Sequence, residues 1–209
     1  MKKKKIEIKD ENYPFLLKQI DNPPKKIYVY GNDIDLNQKM VTVIGTSTPT
    51  LKGKIETAKL VKKLIKNGYC IATSISKGID EIVYRTTLEN NGKIIIIIPW
   101  DVNDIRNQRN RGKFKYIMEN NGNIITEFDS SEGIISKNYI ELNRVLCGLS
   151  KSLIIVEAGI ASRTMITVGY ALEQNRDIYV IIGDLKRAKK SGTNSLIKEG
   201  AKPIISVGL

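Results

Sequence analysis

Short β-branched runs alternate with longer stretches of helical period along the whole chain, which is the pattern of a parallel sheet covered by helices. The expected strands cover residues 26–30, 41–44, 69–73, 93–98, 123–126, 152–156, 177–182 and 203–207. Several are aliphatic at consecutive positions, as strands buried on both faces are. Between them, Ala58, Leu60, Val61, Leu64 and Ile65 share one helical face, while Lys59, Lys62, Lys63 and Lys66 occupy the other. Asn67-Gly68 closes that helix. Further helices are expected over 80–89, 112–120, 139–149, 163–173 and 193–199, several closed by Asn-Gly or followed by Gly. No internal repeat or long Pro/Gly/Ser linker interrupts the series. The pattern therefore predicts an arm over residues 1–36, packed on one α/β domain over 37–209.

A chain of 209 residues buries a sizeable core without metal or disulfide support. Its 34 Lys and Arg outnumber 22 Asp and Glu, and a net charge of +12 favours a polyanionic partner, nucleic acid first. The plain alternative is a Lys-, Asn- and Ile-rich composition in which the charge marks no partner. Histidine is absent, which removes Ser-His-Asp and Cys-His catalysis and most transition-metal sites. Cys70 and Cys147 lie far apart in apolar runs and read as small buried hydrophobes in a reducing cytoplasm. No metal and no cofactor are expected. The basic start at Met1 leads into Ile6-Glu7-Ile8-Lys9-Asp10, which lacks the apolar stretch of a signal peptide. The aliphatic run 94–98 is far short of the ~20 residues that span a bilayer, so no membrane is expected.

In an open parallel sheet, ligands bind outside the carboxyl ends of the strands, so the loops after the strands carry the candidate chemistry. Gly45-Thr46-Ser47-Thr48 offers small and hydroxylated residues whose backbone N–H groups suit a phosphate. It is neither the Gly-x-Gly-x-x-Gly fingerprint nor a P-loop ending in Gly-Lys-Ser, so dinucleotide binding and NTP hydrolysis lose weight. Ser74-Ile75-Ser76-Lys77-Gly78-Ile79-Asp80 places hydroxyls, a lysine and a glycine ahead of a helix, with simple helix capping as the alternative reading. After the strand at 152–156, Glu157 is a candidate acid or base, or equally a structural strand-end residue; Ser162, Arg163 and Thr164 open the next helix, where Arg163 suits a bidentate phosphate contact. Arg106, Arg109, Arg111, Lys113 and Lys115 carry no acid among them and interleave with Asn107, Gln108 and Asn110. Cations so spaced can follow consecutive phosphates of a strand, although a solvated charged loop has the same look. A further cluster, Lys186, Arg187, Lys189 and Lys190, precedes Ser191-Gly192-Thr193-Asn194.

Read in order from about Tyr13 to Val207, these segments resemble the DNA-processing protein A family (DprA, also called Smf). The resemblance is carried by Tyr13-Pro14-Phe15-Leu16-Leu17, by Val41-Thr42-Val43-Ile44-Gly45-Thr46 and by Lys77-Gly78-Ile79-Asp80. It continues through Asn143-Arg144-Val145-Leu146-Cys147-Gly148-Leu149-Ser150, Val156-Glu157-Ala158 and Ser191-Gly192-Thr193-Asn194-Ser195. The resemblance implies an extended Rossmann-like α/β fold, a mostly parallel sheet with helices on both faces. It also implies a non-catalytic protein that binds single-stranded DNA, usually as a homodimer, and helps load a RecA-type recombinase in natural transformation. The expected contacts are Thr46, Ser47, Ser74, Lys77, Gly78, Arg106, Arg109, Arg111, Lys113, Asn143, Arg144, Ser162, Arg163 and Thr164, with phosphates on the helix starts near Thr46, Ser74 and Ser162.

Several positions depart from the family pattern. Ser47 stands where the family commonly has an arginine, Thr73-Ser74 replaces Ser-Gly, Tyr84 replaces a histidine, Leu142 replaces the first Arg of Arg-Asn-Arg, and Arg163 replaces a glycine. The length also points to a core-only member, without the family's N-terminal helical and C-terminal winged-helix domains. The alternative reading is a nucleotide-binding sensor or nucleotide N-glycoside hydrolase of a related Rossmann-like family, with Glu157 as its acid–base group.

Overall fold

Ile94, Ile95, Ile96 and Ile97 are all buried, which requires a layer of structure against each face of their strand. The computed structural model meets that requirement with a sheet between two helical layers. It describes residues 3–103, 110–129, 138–182 and 191–204. In chain order the elements are β1 (Lys3–Glu7), α1 (Phe15–Lys18), β2 (Lys26–Tyr30), β3 (Met40–Ile44), α2 (Leu51–Lys66), β4 (Cys70–Ser74), α3 (Ile79–Glu89) and β5 (Ile94–Ile97). There follow α4 (Arg111–Glu119), β6 (Asn123–Thr126), α5 (Asn138–Gly148), β7 (Ser152–Ile155), α6 (Thr164–Glu173), β8 (Asp177–Ile181), α7 (Ser191–Lys198) and β9 (Lys202–Ile204).

The described strands form one sheet in the order β1-β2-β6-β5-β4-β3-β7-β8-β9. From β6 to β9 every pairing is parallel, while β2 joins β6 and β1 joins β2 antiparallel. This is the expected extended, mostly parallel α/β fold with helices on both faces. Side chains alternate between two cores, because successive residues of a strand point to opposite faces. Ile94 and Ile96 pack with Leu60 and Val61 of α2, Val83 of α3, and Phe114 and Ile117 of α4. Ile95 and Ile97 pack with Leu17 of α1, Val145 and Leu146 of α5, Val168 of α6 and Leu196 of α7.

Some elements differ from the sequence expectation for identifiable reasons. Strand β1 lies in the expected arm but was not among the expected strands, because Lys3, Lys4 and Lys5 carry no apolar alternation. As a sheet edge the strand keeps these lysines exposed, and an edge strand tolerates lysine because one side of it faces solvent. Lys3 reaches Asp101 at 3.1 Å and lies over the Tyr28 ring, 4.3 Å from its centroid. Helix α2 begins well before its apolar stripe, since Leu51 and Ile55 in its first turns are exposed. Residues 205–207 of the last expected strand lie outside the described residues.

Cys70 and Cys147 are buried and unpaired, and burial pushes both thiols up to about 12, so neither is a ready nucleophile. Among the described residues, no cluster of acids and cysteines fits a metal ion, and no helix is long and apolar enough to cross a membrane.

The segment before β3 is built into the fold: Leu17 is fully buried, and a Cβ added at Gly148 of α5 would sit 2.5 Å from its Cδ1. Leu17→Ala is expected to lower stability by roughly 2–5 kcal/mol in urea denaturation. A loss below about 0.5 kcal/mol, typical of a surface change, would show that the arm packs without supporting the domain.

Candidate nucleic-acid interface

The chain lays β3 to β6 outward in one direction and returns to place β7 on the other side of β3. Such a reversal is the switch point at which open α/β sheets bind ligands, outside the carboxyl ends of their strands. Three loops meet there through their backbones. The loop after β3 receives a hydrogen bond from the loop after β4, with Ile79 N–H donating to Thr46 O at 3.1 Å. It is joined to the loop after β7 by Thr46 N–H donating to Glu157 O at 2.7 Å. Gly78 makes the first approach possible: its φ is +82°, and a Cβ there would lie 2.4 Å from Thr46 O. Helix α7 closes on the same place, with Gly192 N–H donating to Ala158 O at 3.0 Å.

Two carboxylates sit inside this junction. Glu157 is fully buried. It accepts from Thr50 N–H at 2.9 Å and from Thr50 Oγ1 at 2.5 Å, at the start of α2. The carboxylate also lies where any side chain at position 53 would fall, so Gly53 is fixed by it. Asp80, in the first turn of α3, accepts from Ser74 Oγ at 2.5 Å and from Gly45 N–H at 3.2 Å. Burial pushes its carboxyl from 3.8 up to about 7, against the pull of the Ser74 hydroxyl and the surrounding backbone amides.

These contacts correct part of the sequence expectation. Phosphates were expected on the helix starts near Thr46 and Ser74; Glu157 already occupies the start of α2, and Asp80 takes up the Ser74 hydroxyl and Gly45 N–H. Thr46 N–H and the Ser74 hydroxyl are committed internally. Glu157 shows no face to solvent. Asn143 is likewise engaged: its amide donates to Tyr139 O and Ile140 O and accepts from Thr167 Oγ1 at 2.8 Å. Arg144 is buried, donating to Glu127 at 2.5 Å, to Glu141 at 3.2 Å and to Asn22 O. It ties α5 to the arm and to the end of β6 and is no free phosphate ligand. Leu142 and Tyr84, where the family carries an arginine and a histidine, are buried core residues.

The remaining described candidates sit on the loops and helix starts that follow β3, β4, β5 and β7. Ser47 and Lys77 are exposed on the loops after β3 and β4, and Arg163 is exposed just before α6. Thr164 is buried, and the Ser162 hydroxyl is enclosed without a hydrogen-bond partner. Arg111 is exposed and Lys113 half-buried in the first turn of α4, which follows β5. Arg106, Arg109, Lys186, Arg187, Lys189 and Lys190 lie outside the described residues. From β5 across β4 and β3 to β7 the edge spans three strand spacings, about 15 Å.

Sequence reasoning missed two features. An open cleft of about 470 Å3 lies between the first two loops, lined by Ser47, Thr48, Lys54, Gly78, Glu81 and Arg85 among others. An aromatic pair, Trp100 after β5 and Tyr139 in the first turn of α5, has ring centroids 5.4 Å apart. Tyr139 is 48% exposed, while Trp100 is buried and its indole N–H has no partner. Trp100, the one tryptophan in the chain, standing directly behind an aliphatic strand was the signal available for this pair.

A doubly wound, mostly parallel α/β sheet with helices on both faces is a Rossmann-like fold. The chain belongs to the DNA recombination-mediator protein A family, whose model matches residues 4–208. It is 31% identical over 202 residues to protein Smf of Synechocystis, covering 94% of this chain and 50% of that protein. This chain thus spans half the length of that relative. Its structure is similar to DNA processing protein A from Streptococcus pneumoniae, with a TM-score of 0.88, 28% identity and coverage of 98% and 71% of the two chains. It is also similar to DNA processing protein A from Helicobacter pylori, described for its single-stranded DNA binding mode, with a TM-score of 0.84, 27% identity and coverage of 98% and 92%.

Two outcomes are expected from the buried charges. A carboxyl raised by burial keeps a proton in the native state that the unfolded chain releases, so its contribution to stability is full below the unfolded value of 3.8 and is lost as pH rises through about 7. The shift is worth roughly 4 kcal/mol. Asp80→Asn, which keeps an acceptor for Gly45 and a group for Ser74, should therefore gain on the parent protein as pH rises from about 5 to about 8 in urea denaturation; parallel curves would exclude the effect. Arg144→Ala should lower stability by roughly 3–5 kcal/mol, since it leaves Glu127 and Glu141 without their shared cation. A melting curve unchanged from the parent would return Arg144 to the surface ligands.

Proposed function

We propose that this chain binds single-stranded DNA along the carboxyl edge of its sheet, as a non-catalytic protein of DNA recombination. In this reading it protects the strand and helps load a RecA-type recombinase in natural transformation, as a cytoplasmic homodimer. The observation that carries it is the run of exposed cations across one edge, Arg111, Lys77 and Arg163, flanked by half-buried Lys113. None of these four has an acidic partner among the described contacts. A phosphodiester backbone is the polyanion that such an extended edge fits, whereas a mononucleotide would meet only a part of it. Family membership and the Helicobacter pylori relative's single-stranded DNA binding support the same reading.

The nucleotide-hydrolase alternative has no comparable support, because its one candidate group, Glu157, is buried against the start of α2. The working site is therefore Ser47, Lys77, Gly78, Arg111, Lys113 and Arg163, with Arg106 and Arg109 adjoining in sequence. Exposed Tyr139 supplies a face on which a base can stack.

Fluorescence anisotropy with labelled oligo-dT at two salt concentrations tests the proposal, with duplex DNA and mononucleotides as competitors. Binding should fall steeply with salt, and Arg111→Ala/Arg163→Ala should weaken it about tenfold and reduce the salt slope by about 1.4, since each phosphate contact on a single strand contributes about 0.7. Failure to bind the strand, together with displacement or turnover of a mononucleotide, would sink the reading.

A further inference from the structure

The open cleft between the loops after β3 and β4 contains two cations that neither the sequence pattern nor the family motifs single out. Lys54 lies in the opening turns of α2, and Arg85 projects from α3. Both are exposed. Ser47, Thr48, Pro49, Gly78, Glu81 and Ile82 make up the rest of the lining.

Lys54 stands where a lysine does little for the fold. The first turn of α2 holds no acidic residue, and a cation near a helix start opposes the helix dipole. Its ammonium group makes no ion pair or hydrogen bond among the described residues. Residues that break a local rule without a structural return mark function more often than chance.

Arg85 is held but not used up. Its Nε lies 3.1 Å from Glu81 Oε1, and its guanidinium carbon lies 5.8 Å and 5.9 Å from the ring centroids of Tyr84 and Tyr116. The rings, the Tyr84 hydroxyl and Glu81 orient the guanidinium, which stays exposed on the helix. A phosphate takes such a fork bidentately. Glu81 lines the same cleft and is therefore the anion that an entering phosphate must compete with.

Resting on the single-strand reading above, we propose that Lys54 and Arg85 form a phosphate clamp in this cleft, with Glu81 as the internal anion that a backbone phosphate displaces from Arg85. The clamp supplies the positive charge missing at Ser47, from two helices in place of the loop itself. It places one phosphodiester between the loops after β3 and β4, midway along the basic edge.

Oligo-dT anisotropy across a salt series, on the full chain and its variants, tests the clamp. Lys54→Ala and Arg85→Ala should each weaken binding at least threefold and lower the salt slope by about 0.7. Glu81→Gln should tighten binding at least twofold, a gain that a folding defect does not produce. Parent protein that binds while Lys54→Ala and Arg85→Ala match it in affinity and slope would overturn the clamp and leave the single-strand reading standing. Weaker binding by Glu81→Gln would overturn the exchange, and no binding by the parent protein would overturn both proposals.

Discussion

Thr46 holds the carboxyl edge together with its backbone alone. Its N–H donates into the loop after β7 and its carbonyl accepts from the start of α3, so one residue couples three strand-to-helix connections. Two backbone hydrogen bonds thus link the loops after β3, β4 and β7. The coupling depends on Gly78, whose left-handed backbone and missing Cβ let the second loop lie against the first. An edge fixed in this way is preorganised for a ligand, since little ordering remains to be done on binding. The same coupling removes Thr46 N–H from the donors a ligand can reach.

The buried carboxylates extend that logic. Helix starts usually attract anions because their first N–H groups are unsatisfied. In this chain Glu157 satisfies the start of α2, and Asp80 sits in the opening turn of α3. A carboxyl group is therefore already built into each of the two helix starts closest to the switch point. Attraction for a polyanion has to come from side chains that stand above them, and those side chains are lysines and arginines on flexible stems. On the proposed reading, the edge reads backbone charge and not base identity, with affinity governed by counterion release.

Much of the fold was legible because buried parallel strands write consecutive aliphatic residues, and Ile94 to Ile97 is the plainest case. The switch point was legible as a set of strand-end loops rich in small and hydroxylated residues. Strand β1 was not, since an edge strand of lysines has no apolar pattern to read. The destinations of individual polar groups were least legible. Asp80 and Glu157 look in sequence like ordinary first-turn and strand-end acids; only the packing of three loops makes them internal caps. Lys54 and Arg85 lie on different helices, 31 positions apart in sequence, and no local motif joins them.

Arg144 shows why a family motif carries less certainty than the fold it belongs to. Its segment matches the family's Arg-Asn-Arg region, where a basic residue beside a nucleic-acid site invites a phosphate contact. Here the guanidinium is enclosed by Glu127, Glu141 and the arm carbonyl of Asn22, so its charge is neutralised inside the domain. A buried arginine between two carboxylates contributes nothing to the field that a strand meets at the edge, because the paired charges cancel at a distance. The net charge that matters for a polyanion is thus the charge left after internal pairs are removed. At this edge that remainder sits on Lys54, Lys77, Arg111, Lys113 and Arg163, spread across different helices and loops. On the proposed reading, a strand that meets them all crosses the sheet edge from the end of β5 toward the end of β7.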